Sequence, residues 1–134
     1  LYELYPKIAA YHDNVLTELN ETGSVDQRTM TGRLRAGITN RNEAINAPIQ
    51  GTAADVLKRA MTLVYERLKD FDDAFIIATI HDELLVECNE SDAEAVADVV
   101  EGAMLEAANE ILNAEDPKIK IEVNVTVSQQ WTKG

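Results

Sequence analysis

Apolar positions recur along this chain with two different periods, and each change of period marks a new element. Pro6 suits a first helical turn, and Ile8, Ala9, Tyr11, His12, Val15, Leu16 and Leu19 follow at helical spacing. They predict an amphipathic helix from about Pro6 to Glu21. Thr22-Gly23-Ser24 stops it. Residues 24–39 hold two Gly, several Thr and a group of arginines without a sustained period, which reads as a loop or a short irregular hairpin. A second helix begins near Asn40 and continues through Ala53, Ala54, Leu57, Ala60, Met61, Val64 and Leu68. Pro48 has no N–H to give the helix, so a kink or break is expected at residues 46–51.

Further on the period shortens. Phe75-Ile76-Ile77-Ala78-Thr79-Ile80 and Leu84-Leu85-Val86 flank the polar tip His81-Asp82-Glu83, which predicts a hairpin over roughly 74–80 and 84–88. Ser91-Asp92-Ala93-Glu94 has the form of a capping box. Apolar pairs at 95/96, 99/100, 103/104, 107/108 and 111/112 make one helical stripe, and Asn113 to Pro117 ends it. Ile119, Ile121, Val123, Val125 and Val127 then alternate with Lys120, Glu122, Asn124 and Thr126, as a half-exposed strand does. Pairing of that strand with the hairpin would give a small antiparallel sheet packed against helices, an α+β class. No internal repeat, linker or low-complexity segment interrupts the pattern.

Composition narrows the class. At 134 residues and 46% hydrophobic, the chain is long enough for one domain with a real core. It holds no run of 18 apolar residues, and its start lacks the regions of a signal peptide, so a soluble intracellular protein without a membrane partner is expected. The single Cys88 excludes an internal disulfide framework and, closing an apolar run, reads as a packed thiol. Net charge is −12, distributed unevenly. From Asp70 to Pro117 there are fifteen acidic residues and no Lys or Arg. A solvated helix face accounts for such a block. From Gln27 to Asn42 the reverse holds, with Arg28, Arg33, Arg35 and Arg41 and no acid. That stretch is the one candidate phosphate-facing surface, although whole-domain basicity is missing.

Two constellations carry possible chemistry. Adjacent carboxylates at Asp82 and Glu83 repel unless a cation or donors compensate, and a divalent ion such as Mg²⁺ takes one or two carboxylates plus phosphates and water. Equally, Asp is a favoured turn residue and Glu83 a solvated neighbour. His81 alone reads as a hydrogen-bonded packing residue in preference to a ligand, and zinc would need further Cys or His partners where only His12 remains. In the second constellation, Asn46-Ala47-Pro48-Ile49-Gln50-Gly51-Thr52-Ala53-Ala54-Asp55, the amides of Asn46 and Gln50 are four residues apart and share a helical face. Such amides suit the minor-groove acceptors present on every base pair. An exposed polar face explains them too, and Thr52-x-x-Asp55 has a capping role open to it.

Taken together, the Asn46–Asp55 string and Ile80-His81-Asp82-Glu83-Leu84 about thirty residues later resemble the carboxy-terminal palm of family A DNA polymerases, the DNA polymerase I group. Tyr5-Pro6-Lys7-Ile8, Gly32-Arg33 and Trp131 agree, so the resemblance spans essentially residues 1–134 as one incomplete domain. It implies template-directed DNA synthesis by a two-metal nucleotidyl transfer. Asp82 would be the palm aspartate that binds catalytic Mg²⁺ (or Mn²⁺), and Glu83 the supporting acid beside it. His81 would lie against the primer terminus, Gln50 and Asn46 would contact the minor groove, and Arg33, Arg35 and Arg41 would sit near the nucleic-acid backbone. Implied partners are a DNA primer-template, dNTP and the remainder of the polymerase, in the cytoplasm (the nucleoid, or a host cytoplasm if viral).

Departures from the family pattern qualify that reading. The family's first motif, with the other metal-binding aspartate, is missing, as is the fingers helix with its lysine and aromatic residue. No thumb or exonuclease domain fits in 134 residues. Many relatives place an Arg four residues before the Asn, where this chain has Asn42 beside Arg41. A start without Met, just after the fingers motif, leads to the expectation of an excised fragment or the small piece of a split enzyme. Full metal binding would then need the absent aspartate and dNTP, and the chain should not polymerise alone. Self-association through apolar surface meant for the rest of the palm is expected. A non-catalytic DNA-binding module, or a structural subunit docking a partner polymerase chain, remains the alternative.

Overall fold

A computed structural model of the protein describes residues 6–112 and 121–130. Length alone suggests one domain, whereas contacts gather the chain into two compact units, Leu1–Thr52 and Ala53–Gly134, each with its own core. The class is α+β: among the described residues there are three α-helices and two separate two-stranded antiparallel sheets.

The first unit opens with α1 (Pro6–Thr22), close to the predicted span. Gly23 ends it at φ 80°, donating its N–H to Leu19 O at 2.8 Å, a left-handed cap that a side chain would strain. The irregular stretch that follows is a hairpin of β1 (Val25–Arg28) and β2 (Leu34–Ile38). Val25 opposes Ile38, and the register slips before Gln27 meets Arg35. Asp26 Oδ1 accepts the N–H of Gly37, itself at φ 68°, at 2.8 Å across this slip. Val25 and Ile38 pack with Val15, Ala44 and Ala47 into the first core, with Tyr11, Leu19 and Ile45 on its margin.

Next comes α2 (Arg41–Arg67), a single helix with Pro48 inside it. Its start is capped by Asn40, whose Oδ1 accepts the Glu43 N–H at 3.1 Å, a bond worth about 1 kcal/mol. Of the kink or break expected from Pro48, the break does not occur: residues 46–51 stay within one helix. The carbonyl that proline cannot serve is met by a side chain of β1.

In the second unit, Ala60, Leu63, Val64 and Leu68 of and just after α2 pack with Ala74 and with Val96, Val100, Ala103 and Ala107. The last four lie on α3 (Ala93–Leu112) and realise its predicted stripe. Ala60, Ala103 and Ala107 are almost wholly buried. A 3₁₀ turn, Glu90–Asp92, leads into α3 where the capping box is predicted, with Asp92 N–H donating to Asn89 O at 3.0 Å. Strands β3 (Phe75–Ile80) and β4 (Glu83–Glu87) form the predicted hairpin. Ile76, Leu84 and Val86 lean on the core, and so does half-buried Cys88, as expected of a packed thiol.

One part of the predicted sheet is not there. Among the described residues, 121–130 form no strand, and β3 and β4 pair only with each other. Alternation sorts side chains to two faces, but a strand also needs an edge to donate to and accept from. Val125 and Val127 are exposed, as are Phe75 and Ile77 of β3. Tyr5, the helix-ending Asn113–Pro117, Ile119, Lys120 and Trp131 lie outside the described residues. Among the described residues no helix is long and apolar enough to cross a membrane.

Candidate functional site

The predicted site residues fall in both units: Arg33, Arg35, Arg41, Asn46 and Gln50 in the first, His81, Asp82 and Glu83 in the second. Each group is built from its own local structure.

In the first unit, helical geometry sends Ala44, Ala47 and Thr52 inward, all buried, and leaves Asn46, Ile49 and Gln50 exposed. Three contacts hold the inward side. Pro48 has no N–H for Ala44 O, and a buried, unserved carbonyl costs about 1–3 kcal/mol. Gln27 Nε2 donates to that oxygen at 2.8 Å. One residue on, Tyr11 Oη donates to Ile45 O at 2.9 Å. Burial pushes the Tyr11 phenol up, with the Gln27 hydrogen bond opposing, so it stays a donor at neutral pH. Gly51 admits the hairpin loop: a Cβ there would lie 2.6 Å from Thr29 Cγ2. Thr52 Oγ1 accepts the Met30 N–H at 3.0 Å. Thr52 therefore sits mid-helix as an anchor for the loop, and the capping role suggested for Thr52-x-x-Asp55 falls away.

The arginines are partly committed to this framework. Arg33 donates through Nη2 to Gly51 O at 3.2 Å, Arg28 through Nη1 to Gly32 O at 2.8 Å, and Arg35 pairs with Glu43. Arg33 and Arg35 thus hold the hairpin against α2 while their surroundings stay exposed. Arg41 lines a concavity of about 550 Å³ with His12, Asn40, Asn42, Ile45 and Asn46. The structure so brings Arg41 and Asn46 to one surface, and sets Arg33 beside the turn that carries Gln50.

The hairpin tip of the second unit is tighter than the sequence suggests. Ile80 pairs with Glu83, which leaves His81-Asp82 as a two-residue turn. His81 has φ 56°, the one positive value at a non-glycine position among the described residues. Two-residue hairpins require such angles because the turn must match strand twist, and Gly or Asn is the usual occupant. A histidine there stores about 1 kcal/mol of strain or more. Asp82 is exposed and Glu83 half-buried. Leu84 and Val86 face the core, so Glu83 and Leu85 lie on the opposite face of β4. Ile77 is an extra residue in β3, where the register shifts between Ile76 and Ala78.

Among the described residues no three His, Cys, Asp or Glu side chains converge as a metal-binding group. Asp82 and Glu83 offer two hard oxygen donors on neighbouring residues, a set that fits Mg²⁺ only where phosphates and a further carboxylate complete the shell. Of the supporting residues, Tyr11, Gln27 and Thr29 carry no motif of their own, and Thr52 lies within the Asn46–Asp55 string without its anchoring role being legible there. The one signal for them is Pro48, which demands a donor from outside the helix without saying which residue supplies it.

The family model for DNA polymerase family A matches residues 1–133. DNA polymerase I of Aquifex aeolicus is 40% identical over 124 residues, covering 92% of this chain and 21% of its own length. The thermostable DNA polymerase I of Thermus aquaticus is 32% identical over 142 residues, covering 97% of this chain and 16% of its own. The solved POL domain of Pol1 from M. smegmatis, in complex with DNA primer-template and dNTP, superposes with a TM-score of 0.64 at 29% identity. That match covers 79% of this chain and 20% of the other. The chain thus spans between about a sixth and a fifth of the length of these relatives.

Proposed function

We propose a function from one premise: this chain belongs to DNA polymerase family A. Its role is to supply the His-Asp-Glu tip and the minor-groove amides for template-directed DNA synthesis. The observation that carries this reading is the tip itself, where a strained His81 and an exposed Asp82 occupy a two-residue turn between paired strands. Strain at a non-glycine position persists where the side chain has a use that Gly cannot meet. The relative solved with primer-template and dNTP supports the same partners here.

In this role Asp82 is the metal ligand and Glu83 the supporting acid. A bound Mg²⁺ (or Mn²⁺) would lower the pKa of the primer 3′-hydroxyl and offset charge on the triphosphate. His81 lies against the primer terminus. Asn46 and Gln50 donate to acceptors that do not depend on base identity, which checks duplex shape rather than sequence. Arg41 and the exposed parts of Arg33 and Arg35 face the backbone. Two carboxylates without phosphates bind Mg²⁺ weakly, so the site is complete only with dNTP and a second aspartate from the remainder of the polymerase. The exposed Phe75 and Ile77 of β3 support a covering partner for this unit, and self-association is the outcome when it is absent. Alone, the chain does not polymerise, and its place is with DNA in the cytoplasm.

The test is primer extension by the chain assembled with fingers, thumb and the rest of a family A palm. Mg²⁺-dependent extension should appear on assembly and fall by on the order of 10³-fold with Asp82→Ala, since a metal's charge stabilisation is worth several kcal/mol. Activity unchanged by Asp82→Ala sinks the assignment. Salt-dependent DNA binding with no extension in any assembly would favour the non-catalytic binding module.

A further inference from the structure

We infer that Gln27, with Tyr11, is a positioning residue that stands in for the missing N–H of Pro48 and so sets the direction of the Asn46 and Gln50 amides. The inference rests on the reading that those amides touch duplex DNA. Asn46 and Gln50 flank Pro48, two residues to either side, on the exposed face of α2. A proline at this depth removes one helical bond and pushes its ring against the carbonyl four residues back. In this chain that carbonyl belongs to Ala44, which is fully buried, so solvent does not replace the lost donor. Gln27 Nε2 reaches it at 2.8 Å from seventeen residues upstream. The same nitrogen approaches Tyr11 Oη at 3.5 Å, and Tyr11 donates to the next carbonyl, Ile45 O. Gln27 of β1 thereby replaces the one backbone bond that Pro48 removes, and Tyr11 of α1 adds a bond beside it, on the inward side of the turn whose outward side carries the amides.

Why a helix that presents amides to a duplex should contain such a proline also follows. With Pro48 in place, the path of this turn is set by tertiary contacts rather than by the helix alone. The turn holds its form only while the hairpin and α1 are packed against it. Gln27 is the direct link in that dependence, because its amide is the group that meets the orphaned oxygen. Shape checking by Asn46 and Gln50 needs their donors held in fixed directions, and Gln27 acts on them through Ala44 and Pro48 without touching DNA.

The experiment compares the 134-residue chain with Gln27→Met, Pro48→Ala and the double variant. Methionine keeps length and bulk and removes the donor, while alanine at 48 restores an N–H to Ala44 O. Amide hydrogen exchange at Ile49, Gln50 and Gly51 should speed up roughly 10- to 100-fold in Gln27→Met, the loss expected when a buried carbonyl goes unserved. In the Pro48→Ala background the same substitution should change exchange by less than about twofold. A short primer-template duplex is then added, and the side-chain amide NMR signals of Asn46 and Gln50 report contact. Duplex affinity should drop about tenfold in Gln27→Met and recover in the double variant. If Gln27→Met is equally harmful in both backgrounds, including failure to fold in both, Gln27 is a packing residue and the inference falls. If exchange loosens while duplex affinity stays unchanged, the positioning role falls. If the duplex leaves the Asn46 and Gln50 signals of the unsubstituted chain unmoved while the exchange pattern holds, it is the DNA reading that fails, and the brace stands.

Discussion

Replacing Gly51 with alanine would set a methyl carbon 2.6 Å from Thr29 Cγ2 and 3.4 Å from Arg33 Nη2. The first distance is about an ångström inside carbon–carbon contact, and the obstacle is a short branched side chain held at its hydroxyl. Thr29 Oγ1 accepts the Arg33 N–H at 3.2 Å and meets Thr31 Oγ1 at 2.9 Å, so the methyl cannot swing away without losing them. Overpacking of this kind costs about 1–3 kcal/mol. Alanine returns about 1 kcal/mol because glycine is a poor helix former. Gly51→Ala should therefore lower stability by roughly 0–2 kcal/mol, the difference of those two. Thr29→Ser removes Cγ2 and keeps the hydroxyl. In that background Gly51→Ala should stabilise by about 1 kcal/mol, the propensity gain alone. Urea unfolding of the four chains, followed by circular dichroism with m-values compared, gives the coupling. Effects that add to within about 0.5 kcal/mol would refute the close approach of the hairpin loop to α2.

Strain at His81 makes an ordered series. His81→Gly should hold or slightly raise stability, by up to about 1 kcal/mol, while His81→Val should lower it by about 1–2 kcal/mol. In an assembled polymerase His81→Gly should still impair extension; the reverse stability order would show that the turn is not left-handed at this residue. Burial raises the Tyr11 phenol above its ordinary value of 10, so the folded chain holds that proton more tightly than the unfolded one. Its contribution is complete below pH 10 and is lost as pH climbs through the folded-state value. Tyr11→Phe should flatten the alkaline limb of a stability–pH curve. Burial, and then the charges of Asp92 and Glu87, push the Cys88 thiol up. Alkylation of the folded chain at pH 8 should run well below the rate for a free thiol and speed up in urea. Arg59→Ala removes the 3.0 Å pair with Glu110 between α2 and α3. Both partners are largely solvated, so unfolding free energy should move by no more than about 1 kcal/mol.

Local pattern went a long way in this protein. The period of Ile8 to Leu19, the stripe of α3 and the two apolar runs around residues 81–83 each lie within a few turns or strand residues, and each formed as predicted. The shared face of Asn46 and Gln50 is equally local, a matter of helical spacing. The family signature was legible for the same reason, as contiguous strings at a set separation. Where Pro48 would lead was not. Its effect depends on Gln27 and Tyr11, which lie 17 and 34 residues from the carbonyls they serve, and no period in the sequence couples a proline to a distant donor. Thr52 likewise looks like a cap until Met30, 22 residues upstream, is found to donate to it.

What the sequence by itself determined is which face each residue takes within its own element: the buried stripe of α3, the paired amides of α2, Asp82 at the tip of the β3–β4 hairpin. Tertiary structure decided who satisfies whom. It kept α2 whole across Pro48, fastened Arg33 to Gly51 O, turned His81 left-handed, and left Ile121 to Val127 without a strand partner among the described residues. The physical reason is one of range. Side-chain amphipathicity is set by neighbours in the chain, whereas each buried backbone N–H and C=O must find a partner wherever the fold supplies one.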